Sequence, residues 1–261
     1  GEDRPSSNSL VIEAAITPLR WGEPAMSVDD MVREANACID AGASIVHHHH
    51  DMRLESGAAI EELLETGRRI LADHPDVLIY TDYLTGKGTT ANEEYAFLGP
   101  MADAGVLTMF AIDPGLTTFA SPGRDGVPTR TYVDGLHFHE AHDFVEYAKQ
   151  VDVPLSLGVF EPGHLRWILA YERSAGFSKG SVVKLYFGGE HQVDRPGKPG
   201  INFGMPPTLA ALDVYCAMLE SSALTWVVSL FGDPVLESPL ARAAIERGGH
   251  LRVGTEDAAG M

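Results

Sequence analysis

Four consecutive histidines, His47 to His50, sit at the end of the apolar run ASIVHHH in the middle of the chain. If that run is a strand, side chains alternate, so His47 and His49 share one face while His48 and His50 share the other. Two imidazoles at this spacing suit a borderline metal such as zinc. A carboxylate as third ligand would leave one coordination position open for substrate or water. A second pair, His137 and His139 in HFH, precedes an expected helical segment, and its expected role is that of a capping or loop element.

Other polar residues occupy the ends of apolar runs: Asp82 and Tyr83, Asp113, Glu161, Tyr186, and Glu256 with Asp257, while Glu13 lies inside the first run. Asp113 and Glu161 each precede Pro and Gly, so helix capping competes with chemistry at those two positions. Tyr80, Asp82, Tyr83 and Asp113 form an acidic and hydroxylic wall that would favour a cationic or polyhydroxylated substrate group.

The elements that must carry these residues alternate. LVIEAAI, ASIVHHH, DVLIYTDY, GVLTMFAID, VPLSLGVF, SVVKLYF, LTWVVSLF and GHLRVG are eight strand candidates. Between them lie helical patterns. The first has apolar residues from Val28 to Ile39, a Ser27/Asp30 capping box and a stop at Gly42; the second has a stripe from Ile60 to Leu71. Further helices are expected near 91–104, 137–150, 162–176, 206–220 and 235–247. Helices between strands imply parallel pairing, and eight units predict an α/β fold of the (β/α)8 barrel type as a single domain. An open doubly wound sheet is the alternative, but ITPLRWGEP after the first strand has no Gly-rich phosphate turn. In a barrel the polar strand ends converge at one face, covered by irregular stretches expected at 113–136 and 188–205.

The 261 residues match the roughly 250 that such a barrel needs. Residues 1–9 read as a flexible arm and 10–261 as the catalytic barrel. A net charge of −18 argues against nucleic acid or an anionic membrane as partner. No apolar run approaches the roughly 18 residues of a membrane span. Cys38 and Cys216, set apart in apolar helical patterns, predict two buried thiols and no disulfide, in keeping with a cytoplasmic location.

VIEAAITP, AGASIVHHHHDM, INFGMPPTLAAL, LTWVVSLFG and GGHLRVGTED, in this order, resemble the β-keto acid cleavage enzymes, the family of 3-keto-5-aminohexanoate cleavage enzyme. The resemblance spans nearly the whole chain and is most specific at H-x-H and R-V-G-x-E-D. It implies a one-zinc barrel, a homo-oligomer with the tetramer among its forms, that condenses a β-keto acid with acetyl-CoA to give acetoacetate and a new acyl-CoA. By the same resemblance His47, His49 and Glu256 match the metal ligands, Arg252 the clamp on the substrate carboxylate, Asp257 the base, and Glu13 a glutamate beside the substrate. Thr85, Gly86, Asp82 and Asp113 complete the expected substrate site.

There are departures. Leu84, Thr85 and Gly86 stand where the family commonly has Ser-Thr-Gly. Ser156 and Gly158 stand where it usually carries glutamates, Asp113 where the founding enzyme has a small hydroxyl residue, and Asp51 and Met52 displace the arginine that usually follows H-x-H. These changes keep two other readings open: a zinc-dependent hydrolase or lyase that needs no CoA, and a non-catalytic metal-binding homologue.

Overall fold

The computed structural model describes residues 9–20, 22–84, 90–192, 198–200 and 203–258. Thr85 and Gly86, and eight of the nine residues of the expected arm, lie outside them. The strands are β1 (Ile12–Ile16), β2 (Ile45–His48), β3 (Leu78–Thr81), β4 (Phe110–Ile112), β5 (Thr117–Pro122), β6 (Pro128–Asp134), β7 (Leu155–Val159), β8 (Val182–Gly188), β9 (Thr225–Phe231) and β10 (His250–Val253). The helices are α1 (Val28–Asp40), α2 (Ser56–Asp73), α3 (Ala91–Glu94), α4 (Leu98–Asp103), α5 (Phe138–Gln150), α6 (Pro162–Ser174), α7 (Leu209–Leu219) and α8 (Pro239–Glu246), with a 3₁₀ turn at Val235–Glu237.

Eight strands pair in parallel in the order β3-β2-β1-β10-β9-β8-β7-β4. With helices between consecutive strands this is a (β/α)8 barrel, and each predicted strand is present. The two ends of the ladder, β3 and β4, meet without a hydrogen-bonded strand pair. Thr108 bridges them: its Oγ1 accepts from Ile79 N–H at 2.9 Å and donates to Ile79 O at 3.0 Å. One hydroxyl therefore satisfies both polar groups of an otherwise unpaired edge residue.

Most helices start close to where the sequence places them, while α7 and α8 start three and four residues later than expected. Asp30 N–H donates to Ser27 Oγ at 3.2 Å and Ser27 N–H to Asp30 Oδ2 at 3.3 Å, closing the box at the start of α1. Val145, Leu165, Ile168 and Leu212 are fully buried, and the main core lies between these helices and the outer face of the sheet. Such burial stabilises by about 25 cal/mol per Å² of apolar surface.

Two expectations change. The stretch 113–136 is not irregular: it folds into the antiparallel hairpin β5-β6, held at its root by Gly115 N–H to Leu136 O at 2.8 Å and Leu136 N–H to Asp113 O at 3.0 Å. Short runs such as TTFAS and TRTYV carry β-formers, but the Gly and Pro around them read as loop. Cys38 and Cys216 are free, as expected, but half-buried at helix edges.

Candidate metal and substrate site

The register of the barrel brings the polar residues together. Glu13 lies opposite Arg252, Ala15 opposite His47, and His47 opposite Tyr80. Alternation turns Glu13, His47, Tyr80 and Arg252 towards the barrel axis. Glu256 follows β10 on a turn made by Gly254, whose φ of +148° and contact with the Ala15 backbone leave no room for a Cβ. Glu256 N–H then donates to Ala15 O at 3.2 Å, and Gly232 N–H to Asp257 O at 2.7 Å, so the turn is tied to β1 and to the end of β9.

His47 Nε2 stands 2.9 Å from Glu256 Oε2, and His49 Nε2 stands 2.8 Å from Glu256 Oε1. The ligand atoms of these three residues lie within 4.8 Å of one another, the spacing of a set that can close on one metal ion. Two imidazoles and a carboxylate fit a catalytic zinc-type site with one position open. His49 Nδ1 is 3.0 Å from Asp82 Oδ2, so Asp82 fixes that ring from behind, as outer carboxylates do for metal-bound histidines. Asp82 also receives His50 N–H at 3.2 Å and lies 2.8 Å from His50 Nδ1. Although burial opposes its charge, the histidines beside Asp82 hold its carboxyl well below the usual carboxylate range. His48, on the opposite face, is fully buried and has neither ring nitrogen bonded, and burial lowers its pKa to about 3.

Arg252, 1% exposed, is the hub behind the three ligands. Nε and Nη2 donate to the two oxygens of Asp257 at 2.9 and 2.8 Å, Nη2 to Glu256 Oε2 at 2.6 Å, and Nη1 to Glu13 Oε1 at 2.9 Å and to Tyr80 Oη at 3.0 Å. These five bonds use all five guanidinium donors. Tyr80 hydroxyl bonds Glu13 Oε1, and Ser229 Oγ donates to Asp257 Oδ2 at 2.7 Å. Burial raises the pKa of Asp257 against the pull of Arg252. Glu13 keeps Oε2 without a partner in the described structure.

A cavity of about 300 Å³ opens above the triad, with Glu256, His47 and His49 on one side and Asp113, Asp134 and Lys184 among the other lining groups. The hairpin closes over it: Phe119 packs against Phe160 at 5.2 Å between ring centroids and against Tyr132 at 5.0 Å. Asp113 stands across from the histidines, its Oδ2 accepting from Tyr83 Oη at 2.7 Å. A Cβ on Gly158 would collide with Asp113 Oδ1, so the aspartate just after β4 and the glycine on β7 are sterically one change. Of the expected acidic wall, Asp82 serves His49 and Tyr80 serves Arg252; Asp113 and Tyr83 alone form the far side.

Of the residues singled out in the sequence, Glu13, His47, His49, Asp82, Arg252, Glu256 and Asp257 form one connected cluster, and Asp113 faces it. Glu161 is the N-cap residue of α6, and its Oε1 accepts Gly204 N–H at 3.1 Å. His137 caps α5, with Glu140 accepting its N–H at 2.9 Å. Lys184, Ser229 and Asp134 were missed. Val182, Lys184 and Tyr186 share a face of one strand, so parity alone would have placed the lysine beside the tyrosine that was noticed.

A family model for beta-keto acid cleavage enzymes matches residues 10–261. Solved structures share the fold. ObcA with bound oxaloacetate superposes with a TM-score of 0.61 at 12% identity, over 89% of this chain and 57% of that one. The Clostridium perfringens N-acetylmannosamine-6-phosphate 2-epimerase gives 0.55 at 12%, over 95% and 88%. The dihydropteroate synthase of Coxiella burnetii gives 0.53 at 13%, over 98% and 91%. The chain thus spans little more than half of the ObcA chain. No curated protein matches it at a significant level.

Proposed function

Because the chain belongs to the β-keto acid cleavage enzyme family, we propose that it condenses a β-keto acid with acetyl-CoA and releases acetoacetate and a new acyl-CoA, using zinc held by His47, His49 and Glu256. The observation that carries the reading is the convergence of those three ligand atoms at the wall of a closed-over cavity, with a fully bonded arginine behind the carboxylate. ObcA structures holding oxaloacetate, and a C4-CoA adduct with oxalate, support the same substrate classes.

A divalent ion bound by the triad would polarise the keto oxygen and make the neighbouring C–H more acidic. The chain's own residues do the rest. Asp82 keeps the His49 ring oriented with its Nε2 towards the site. Arg252 holds Glu256 and Asp257 at fixed separation and offsets their mutual repulsion. Asp257 is the residue that the family pattern offers as base: burial raises its proton affinity and Oδ1 accepts a single bond, but it lines the cavity behind the triad with Arg252 and not the one in front. Glu13 accepts from both Arg252 and Tyr80 and so holds the two in place. The aromatic lid of Phe119, Phe160 and Tyr132 limits water at the reacting carbon.

The test is acetoacetate release from a panel of β-keto acids by zinc-loaded protein, in parallel with and without acetyl-CoA. Product that requires acetyl-CoA, with a matching acyl-CoA, is the expected result. Product in both arms would replace condensation by CoA-independent hydrolysis or lysis, and binding without product in either would make the chain a non-catalytic homologue.

A further inference from the structure

Lys184 is 2% exposed and lies on β8, where its strand neighbours across the barrel wall are Gly158 and Val227. Its ammonium sits 4.9 Å from the Tyr80 ring centroid and 5.3 Å from that of Tyr186. Its one hydrogen bond is to Tyr80 Oη, at 3.2 Å. No carboxylate of the described residues lies within ion-pair distance of it. An ammonium has three donors, so two are left over. A buried lysine without a paired carboxylate is costly, and such groups are normally neutralised by a partner.

The cavity shows what the partner is. Among the described residues Lys184 is the one lysine or arginine lining it; Arg252 lies behind Glu256 and borders a different cavity, against Val235 and Leu236. Every donor of Arg252 is committed to Glu13, Tyr80, Glu256 or Asp257. To clamp a carboxylate it would have to release a bond in a buried network, and breaking such a pair is strongly unfavourable. Lys184 gives up nothing.

We infer that Lys184, rather than Arg252, binds the carboxylate of the substrate, as the cation that faces the His47–His49–Glu256 wall inside the cavity. This rests on the reading of the substrate as a β-keto acid. The fit is one of chemistry and place. An anion in the shared cavity of about 300 Å³ takes the two ammonium donors that Tyr80 leaves unused. Tyr80, bonded to both Lys184 and Arg252, fixes the lysine's position relative to the triad.

The experiment measures equilibrium binding of acetoacetate and of its neutral methyl ester to the wild type, Lys184→Met and Lys184→Arg, with metal content checked by elemental analysis. Acetoacetate binding should weaken roughly 10- to 100-fold in Lys184→Met, the loss of one charge-assisted bond, and recover in part in Lys184→Arg. Ester binding and metal content should change by less than about threefold on the same scale. Equal acetoacetate affinity in Lys184→Met and wild type overturns the proposal, as do equal losses for acid and ester, absence of acetoacetate binding to the wild type, or a borohydride-trapped adduct on Lys184, which would make the amine a nucleophile. The two readings fail separately: lysine-dependent binding with no cleavage of any panel member sinks the reaction and leaves the anion site, whereas cleavage undisturbed in Lys184→Met does the reverse.

Discussion

At the scale of the residue, the site is organised by who bonds whom behind the ligands. His49 faces Glu256 through Nε2 and Asp82 through Nδ1, so its ring plane is set before any ligand arrives. His47 lacks such a partner: its Nδ1 is buried without a hydrogen bond in the described structure. Asp82 should therefore contribute to metal affinity although it is not one of the three ligand residues. Asp82→Ala is expected to weaken zinc binding about 10- to 100-fold while the fold persists, measured by competition with a chromogenic chelator. Unchanged affinity would mean that Glu256 alone orients the His49 ring.

At the scale of the element, the hairpin β5-β6 is the piece that distinguishes this barrel's open end, and one histidine holds its root. His164, in the first turn of α6 and 3% exposed, accepts at Nδ1 from the N–H groups of Phe160 and Glu161 at 3.3 and 3.4 Å, while its Nε2 lies 3.3 Å from Leu116 O in the hairpin. The neighbouring Gly115, at φ +107°, must lack a Cβ because the imidazole occupies that space. Burial lowers the pKa of His164 below its ordinary 6.5. A histidine whose folded pKa is depressed binds fewer protons folded than unfolded, so its share of stability is complete above about 6.5 and declines as pH falls below that. Thermal midpoints measured between pH 7.5 and 5 should drop for the wild type, and His164→Gln should show a smaller drop over the same window. Parallel curves would place the acid sensitivity elsewhere.

At the scale of the whole molecule, the barrel is a ladder of eight strands with one seam, and Thr108 spans it. Thr108→Val keeps the shape and removes the hydroxyl, leaving Ile79 N–H and O without their partner. The expected cost is about 1–3 kcal/mol, seen as an earlier midpoint in urea, with Thr108→Ser close to wild type. A valine variant as stable as the wild type would show that the seam is held by packing alone. Among the described residues no helix is long and apolar enough to cross a membrane, and the one lysine or arginine among the residues lining the cavity is Lys184.

The eight barrel strands, the helix starts and the histidine pair could be read directly from the sequence, because each depends on local alternation, helical spacing or a cap. Glu13, Arg252, Glu256 and Asp257 were recognised through the family pattern, and their partners were not visible: Ser229 looks like a single polar residue in an apolar strand, and Tyr80, read as part of the acidic and hydroxylic wall, turns to the arginine only once the register is set. The hairpin stayed hidden because its strands are short, largely exposed and punctuated by Pro and Gly, so no periodicity marks them. Asp113 and Gly158 read as two unrelated departures 45 positions apart. Parallel pairing of β4 with β7 makes them one, since a carboxylate can occupy only the space that a missing side chain leaves. Types and faces are local and so are written in the chain; which donor is spent and which remains free is a property of contacts between distant strands, and only the closed barrel decided it for Arg252 and Lys184.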